Sequence, residues 1–352
     1  MIRRLAAAAA ALTVVLIVAG GVVTNTDSGL ACPDWPTCFG SVVPRMAGNV
    51  AVEHTHRLIA AAVGLCTAAL VVLTLRRAKQ GGLAAALAAI STFILCASFW
   101  AGRVKHVTDE LPATGVALVL AGYATFGWAI SRARESDGRL AAGALALVMF
   151  QGLLGGLTVL YQLPTLVLVM HLGTSMLFLS LMLVIALRAG LAPRAPGLPA
   201  IPARPLLWVT TAAVYLQILL GATVRHTGAG LVCTDLPYCR GAWWPTDVHP
   251  MVHLHMAHRA AAFVVLALVA WTSLRVASSS TGAMRALALL GPALAVVQIA
   301  LGVVTILTFK DLVPLTAHLL VGALLLADCV ALLALTRGAD REPNPLAQVA
   351  RA

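Results

Sequence analysis

Long runs of apolar residues follow one another along the chain and are separated by short polar stretches. Each run has about the 20 residues that an α-helix needs to cross the hydrocarbon core of a membrane. We therefore expect an all-α polytopic membrane protein. The pattern predicts ten spans: Leu5–Thr24, His54–Leu75, Leu83–Ala101, Pro112–Ile130, Leu140–Leu160, Thr165–Leu187, Leu206–Val224, His255–Leu274, Met284–Leu307 and Leu312–Leu335.

The composition excludes both a water-soluble globule and a disordered chain. Of the 352 residues, 60% are hydrophobic and 11% are charged, whereas soluble domains have about 25% charged residues and disorder requires low hydrophobicity. The net charge is +11, but sixteen of the 24 Lys and Arg residues fall on the side of the two termini. This excess follows the positive-inside rule and predicts cytoplasmic termini. The expected partner is the lipid bilayer, and we expect no nucleic acid.

The first apolar run, which follows Arg3 and Arg4, can also be interpreted as a cleaved secretory signal. It is longer than the apolar region of such signals, which has about 7–15 residues. Its last residues also belong to an internal repeat. Both observations favour a helix that is part of the mature fold.

The internal repeat covers most of the chain. In its first block, ten of 21 residue pairs are identical at a constant offset of 201. Each half thus has four shared helices, and an even number keeps both copies in the same orientation. We expect two bundles related by a pseudo-twofold axis along the membrane normal. The matching blocks are 20–40 with 221–241, 53–57 with 255–259, and 151–160 with 298–307.

The first half exceeds the second by 55 residues between matched histidines, and the third and fourth spans account for this surplus. We interpret them as an inserted helical hairpin at about 83–131. A proline-rich stretch joins the halves, and it cannot be helical throughout because proline lacks the N–H donor. The predicted domains are an N-terminal bundle (1–187), a cytoplasmic linker (188–205), a C-terminal bundle (206–335) and a cytoplasmic tail (336–352).

Four of the ten histidines occupy repeat-related positions near helix ends: His56, His171, His258 and His318. Ionisable groups at membrane depth are costly, usually face the bundle interior and mark function. Two imidazoles from facing helices can ligate a haem iron. The alternative is four hydrogen-bonded interface histidines, which the repeated placement disfavours. Arg57 and Arg259 are candidate partners for haem propionates, or else arginines that extend to the membrane interface.

Glu53 lies three residues before His56 and so shares its helix face, whereas His255 has the matching place beside His258. A carboxylate can accept the protons that an oxidation releases. This asymmetry predicts chemistry in the first half and electron transfer in the second. The alternative is a glutamate at the helix start that interacts with the helix dipole.

Two C-x5-C pairs, Cys32 with Cys38 and Cys233 with Cys239, fall in two long loops on the predicted outer side. Disulfides persist outside the cytoplasm, so one disulfide in each loop is favoured, either structural or redox-active. A zinc site on Cys32, Cys38 and a nearby histidine is an alternative, although the usual C-x2–4-C spacing is absent.

Together these motifs resemble the haem A synthase family of bacterial plasma membranes and mitochondrial inner membranes. The resemblance covers the first loop and four helices of each half. The inserted hairpin departs from the eight spans that are usual in that family. The motifs are GGVVT at 20–24, SGLACPDWPTC at 28–38, ExxHR at 53–57, and QGxxGGLTV at 151–159 followed by His171.

The resemblance implies two four-helix bundles and an oxidoreductase that converts haem O into haem A. A ring methyl group would be hydroxylated twice to a geminal diol, which loses water to give the formyl group. The implied site consists of His56 and His171 on the substrate haem, His258 and His318 on a haem b, Glu53 assisting the oxidation, and Cys32–Cys38 as the functional disulfide.

The implied partners are haem O, with haem A as product, and an electron-transfer partner. Haem O synthase and a second copy of the chain are further partners that the sequence leaves open. Two other functions would use parts of the same constellation. A dihaem cytochrome would need the four histidines without the Glu53 asymmetry, and a quinone-coupled thiol oxidoreductase would need the cysteines and not the histidines.

Overall fold

Ten long helices make up most of the structure, a computed structural model that describes residues 1–191, 204–246 and 248–336. All ten are long and apolar enough to cross a membrane. Their bounds agree with the predicted spans to within two turns, which confirms the predicted all-α polytopic fold. The helices are α1 (Ile2–Asn25), α2 (Gly48–Arg77), α3 (Gly81–Thr108), α4 (Ala113–Ser131), α5 (Ser136–Leu160), α6 (Thr165–Ala186), α7 (Arg204–His226), α8 (Pro250–Ser278), α9 (Gly282–Leu307) and α10 (Leu312–Thr336).

Eight of the helices form two rings of four. In the first ring, α1, α2, α5 and α6 contact one another in cyclic order, and α7, α8, α9 and α10 do the same in the second ring. The rings meet where α10 contacts α1 and α6, and where α6 contacts α7. Ile17, Met176, Val214 and Leu326 contribute to the shared core at this junction. The rings contain the helices that the repeat pairs, while the pseudo-twofold axis and the domain boundaries stay predictions.

Helices α3 and α4 lie outside the first ring, against α2 and α5. A Cβ at Gly115 would come within 2.7 Å of Ala101, and one at Gly122 within 2.6 Å of Ile94. Helices in lipid gain little from apolar burial, so small residues that permit close backbone approach stabilise their packing. These contacts agree with a helical hairpin added to a ring of four.

The loops between α1 and α2 and between α7 and α8 have the same local structure. Each contains a disulfide, Cys32–Cys38 and Cys233–Cys239, with Cα atoms 4.7 Å and 5.6 Å apart. In each loop the second cysteine also begins a short antiparallel bridge. Both predicted disulfides are therefore present. We call the end of the molecule that carries these loops (residues 26–47 and 227–246) the disulfide-loop end.

Large apolar side chains cover the outward faces of the helices. Leu65, Leu120 and Val264 are 72%, 63% and 60% exposed. In water such a surface would drive association, whereas lipid tails solvate it in a bilayer. The surface is that of a multi-pass membrane protein.

The connection between the rings begins with a short π-helical turn at Leu187–Leu191, where Gly190 has a φ of 99°. Glycine adopts this left-handed conformation without steric cost. The rest of the predicted linker, up to residue 203, and the predicted tail after residue 336 lie outside the described residues.

We predict that Gly122→Ala destabilises the protein by about 1–3 kcal/mol, because the added methyl group would overpack the contact with Ile94. Gly127→Ala is the matched control in the same helix, since nothing lies within 4 Å of its added Cβ. This control should leave stability unchanged or slightly higher, because alanine favours helix. Thermal unfolding of the detergent-purified variants measures both, and equal transition temperatures would contradict the close packing of α3 and α4.

Candidate functional site

A cavity of about 1740 Å³ extends through both rings. This volume exceeds the roughly 300–1,000 Å³ of common small-molecule pockets. Of the four predicted haem ligands, His56 and His171 line the cavity in the first ring, and His258 and His318 line it in the second. The two imidazoles within each ring are neighbours across the cavity. The structure thus brings the predicted residues into one cavity, as two pairs.

Each of the four imidazoles lies against a glycine of a neighbouring helix. These glycines occur in the repeated blocks, which is the sequence signal that could have identified them. Any larger residue there would displace the imidazole or push the helices apart. In the first ring, a Cβ at Gly20 would come within 3.0 Å of Cε1 of His56, and one at Gly155 within 3.3 Å of Cε1 of His171. In the second ring, a Cβ at Gly221 would come within 2.9 Å of Cε1 of His258, and one at Gly302 within 3.2 Å of Cε1 of His318.

In the second ring, Nδ1 of each histidine contacts the residue one turn before the opposing glycine. Nδ1 of His318 is 3.0 Å from the carbonyl oxygen of Gln298, and Nδ1 of His258 is 3.1 Å from the side-chain nitrogen of Gln217. In the first ring, both Nδ1 atoms are buried and have no hydrogen-bond partner among the described residues. Metal-binding histidines are oriented by contacts of the ring nitrogen that does not face the metal. In the second ring, this arrangement leaves Nε2 as the atom available to a ligand in the cavity.

Glu53 and Arg57 attach the first disulfide loop to α2. Glu53 is 3% exposed, accepts a hydrogen bond from the backbone nitrogen of Cys32 at 2.7 Å and pairs with Arg57 at 2.5 Å. Arg57 also donates to the carbonyl oxygens of Cys32, Asp34 and Thr37. The sequence did not reveal this anchoring role. Because α2 begins at Gly48, Glu53 lies beyond the first turn, and the helix-dipole alternative is not supported.

Arg259 anchors the second loop in the same way. It donates to the carbonyl oxygens of Cys233, Asp235 and Tyr238 at 2.5, 2.8 and 3.3 Å, and its Nε lies 3.1 Å from Nε2 of His255. A histidine therefore has the place that the glutamate has in the first ring. Since loop carbonyls engage both arginines, their pairing with propionates stays a prediction.

His54 is a buried residue for which the sequence suggested no role. It is 5% exposed, and one ring nitrogen lies within 4.8 Å of both sulfur atoms of Cys32–Cys38. The matching residue of the second half is Met256, which packs with the other disulfide. A zinc ion at His54 would need the two cysteines as thiolates, and the disulfide leaves neither available.

Asp34 organises the first loop from within. Its carboxylate accepts hydrogen bonds from the backbone nitrogens of Phe39 at 2.5 Å and Gly40 at 3.0 Å, and from the Thr37 hydroxyl. Burial raises the pKa of Asp34, but these hydrogen bonds outweigh burial and hold the pKa below its usual value. Asp34 is one of the ten identical pairs of the first repeat block, which is the signal that could have identified it.

Comparisons with known proteins identify a family and several relatives of this chain. Residues 3–54 and 108–330 match COX15-CtaA, a family described as cytochrome oxidase assembly protein. The unmatched stretch, 55–107, contains most of α2 and nearly all of α3. The chain is similar to Heme A synthase of Symbiobacterium thermophilum, with 31% identity over 72% of this chain and 69% of the relative. Similar proteins with the same name occur in Shouchella clausii (27%; 90% and 91% covered) and Shewanella oneidensis (25%; 87% and 88%).

We predict that the first loop loosens as the pH falls through the folded pKa of Asp34. A carboxyl group whose folded pKa is lowered stabilises the fold above its unfolded pKa, and this contribution is lost on acidification. Hydrogen exchange at the amides of Phe39 and Gly40, relative to the intrinsic rate, should therefore accelerate below about pH 4.

Asp34→Asn should remove this pH dependence. Asp27→Asn, at an exposed position of the same loop, is the matched control and should keep it. Exchange that does not respond to pH in the unsubstituted protein would contradict the role of Asp34.

Proposed function

Because the chain belongs to the COX15-CtaA family of cytochrome oxidase assembly proteins, we propose that its first ring binds haem O and oxidises a ring methyl group to a formyl group. The family and its relatives support haem A synthesis for cytochrome oxidase assembly, which makes the chain an oxidoreductase. One observation carries the assignment of the site to the cavity. It is the placement of four histidines there, each against a glycine.

The donor atoms fit one haem in each ring. Haem iron accepts imidazole nitrogen as a ligand, and two imidazoles line the cavity in each ring. His56 and His171 would hold the substrate haem, and His258 and His318 would hold haem b. When bound, haem b supplies one-electron redox chemistry. The protein supplies orientation, through the contacts that fix each imidazole.

Glu53 is the residue that we assign to proton acceptance in the first ring. With water as the source of the formyl oxygen, converting the methyl group to a formyl group releases four protons and four electrons. The electrons would leave through the second ring to a separate electron acceptor, and the protons need an acceptor in the first ring. Glu53 lines the cavity. A carboxylate has about four lone-pair sites, and Cys32 and Arg57 occupy two of them. The second ring has His255 at this position, which favours chemistry in the first ring over a dihaem cytochrome that only transfers electrons.

The first disulfide loop encloses the cavity of the first ring. Trp35 and Thr37 line this cavity, and the indole of Trp35 fits between α3 and α5. A Cβ at Gly156 would come within 2.7 Å of the indole, and one at Gly102 within 3.3 Å. A site that excludes water strengthens the electrostatic interactions inside it and suppresses side reactions. We infer that the loop serves the oxidation in this way.

We place the protein in the plasma membrane with both termini in the cytoplasm, because Lys and Arg are in excess on that side. The disulfide-loop end then lies outside the cytoplasm, where disulfides persist. Electrons would pass through the second ring to a separate partner. An enzyme that makes haem O must supply the substrate.

We predict that Glu53→Gln retains bound haem but lowers haem A formation by about a hundredfold or more, because general acid–base groups contribute about 10²–10⁴ to rate. The full chain is produced in bacteria that make haem O and lack their own haem A synthesis. Pigments are then extracted from the membranes and identified by mass.

His255→Gln, at the matching position of the second ring, is the control and should leave haem A formation close to normal. Unchanged haem A in Glu53→Gln would remove Glu53 from the mechanism. Absence of haem A with the unsubstituted chain would contradict the proposed reaction.

We predict that Gly155→Val displaces the imidazole of His171, since a Cβ at this position already comes within 3.3 Å of Cε1. Overpacking of about 1–3 kcal/mol would lower the haem affinity of the first ring by roughly 5- to 150-fold. The optical spectrum should lose the low-spin contribution of the first-ring haem and keep that of the second-ring haem. Gly143→Val, in the same helix with nothing within 4 Å of its added Cβ, should keep both. Identical spectra of the two variants would refute ligation by His171.

A further inference from the structure

Two cations at the disulfide-loop end line the cavity with few partners of their own. They are Arg225, at the end of α7, and Lys310, between α9 and α10. Among the described residues, Arg225 donates one side-chain hydrogen bond, to the carbonyl oxygen of Thr24 at 3.1 Å, and its Nε is buried without a partner. The Lys310 ammonium has no hydrogen bond to described residues and no carboxylate of theirs within 4 Å.

This situation differs from that of the two loop arginines. Arginine has five N–H donors. Arg57 uses its donors on three loop carbonyl oxygens and Glu53, and Arg259 uses its donors on three loop carbonyl oxygens and His255. Arg225 has most of its donors free, and therefore it is better suited than either loop arginine to bind an anion in the cavity.

The two cations are also neighbours. Burial and the nearby Arg225 lower the pKa of Lys310, while the carboxylate of Asp27 offsets part of this effect. Two positive groups that are partly withdrawn from water repel each other. An anion between them would relieve the repulsion and use the free donors.

Neither cation has a counterpart in the first half. By the repeat offsets, Thr24 matches Arg225 and Leu163 matches Lys310. The backbone framework is nevertheless similar, because Leu163 and Lys310 each lie against the matching loop glycine. A Cβ on Gly29 would be 3.3 Å from Leu163, and a Cβ on the matching Gly230 would be 3.6 Å from Lys310. The second half thus differs from the first by two added positive charges at the edge of its cavity.

Arg225 lies on the side of α7 that faces His258. It follows Gly221, the glycine in contact with His258, by four residues, and residues four apart share a helix face. The rise along the helix is about 6 Å. A group held by His258 therefore has Arg225 within one helical turn, toward the disulfide-loop end.

We propose that Arg225 and Lys310 bind the carboxylate groups of the haem in the second ring, an inference that rests on the proposed function. Haem has two propionates on one edge. Arginine binds a carboxylate through its planar fork, and lysine binds it as a point charge. The first ring lacks both cations because its haem is a substrate that must leave as product. The second ring retains its haem as a resident cofactor.

The test compares binding of ferric haem b with binding of its dimethyl ester, in which both propionates are neutral. The proteins are full-length, with His56 and His171 replaced by alanine so that only the second ring binds. Arg225→Thr and Lys310→Leu introduce the residues that the first half has at the matching positions. Arg45→Thr, at an exposed position of the first loop outside the cavity, is the control for the loss of one positive charge elsewhere at the disulfide-loop end.

With both cations present, haem b should bind about ten- to a hundredfold more tightly than the ester, as expected for charge-assisted hydrogen bonds. The double variant should lose this preference and bind the ester normally, which shows that it is folded. Arg45→Thr should keep the preference.

A preference that survives in the double variant would overturn the assignment. So would equal binding of haem b and its ester by the protein with both cations, which is the result expected if the cations instead bind a lipid phosphate. Failure of the second ring to bind either compound would count against the proposed function itself.

Discussion

The contact between a glycine and an imidazole, made four times, is the constraint on which the arrangement of the cavity depends. Helices in a bilayer associate through close packing and polar contacts, because lipid tails solvate apolar side chains as well as other helices do. A glycine on one helix lets the neighbouring helix approach until the imidazole of its histidine touches the backbone. The same contact restricts the orientation of the imidazole, which lines the cavity. Helix packing and the capacity to bind a ligand therefore depend on the same residue.

Duplication of this contact provides two equivalent rings, and their differences lie in the residues that surround the imidazoles. The first ring has a buried carboxylate near its histidine pair and neutral residues at the two positions that match the cations of the second ring. The second ring has no carboxylate at that position and has two cations at its edge. These differences suit the first ring to the chemical conversion of a bound ligand and the second ring to its retention. The differing pairs are Glu53 and His255, His54 and Met256, Thr24 and Arg225, and Leu163 and Lys310.

The sequence was sufficient to predict the ten helices, the repeat, both disulfides and the four histidines that line the cavity, because apolar runs and repeat offsets encode these features directly. It placed the start of α2 six residues too late, at His54 instead of Gly48. The first turns of α2 are polar enough to resemble a loop, and hydropathy does not detect helix that extends beyond the membrane. The anchoring role of Arg57 was also missed, because its partners are backbone carbonyls of an irregular loop. No side-chain pattern records where such carbonyls point.

The position of Trp35 affects how a ligand can enter or leave the cavity of the first ring. Its indole is wedged between two helices, one of which belongs to the added hairpin, while Arg57 and Glu53 secure the same loop from α2. Because the loop contacts α2, α3 and α5, it cannot move away from the cavity without breaking all three sets of contacts. A bulky ligand that enters or leaves the first ring past the first disulfide loop must therefore displace Trp35. Sideways passage between helices, directly from the bilayer, avoids that obstacle and suits a flat, largely apolar molecule such as the proposed haem substrate.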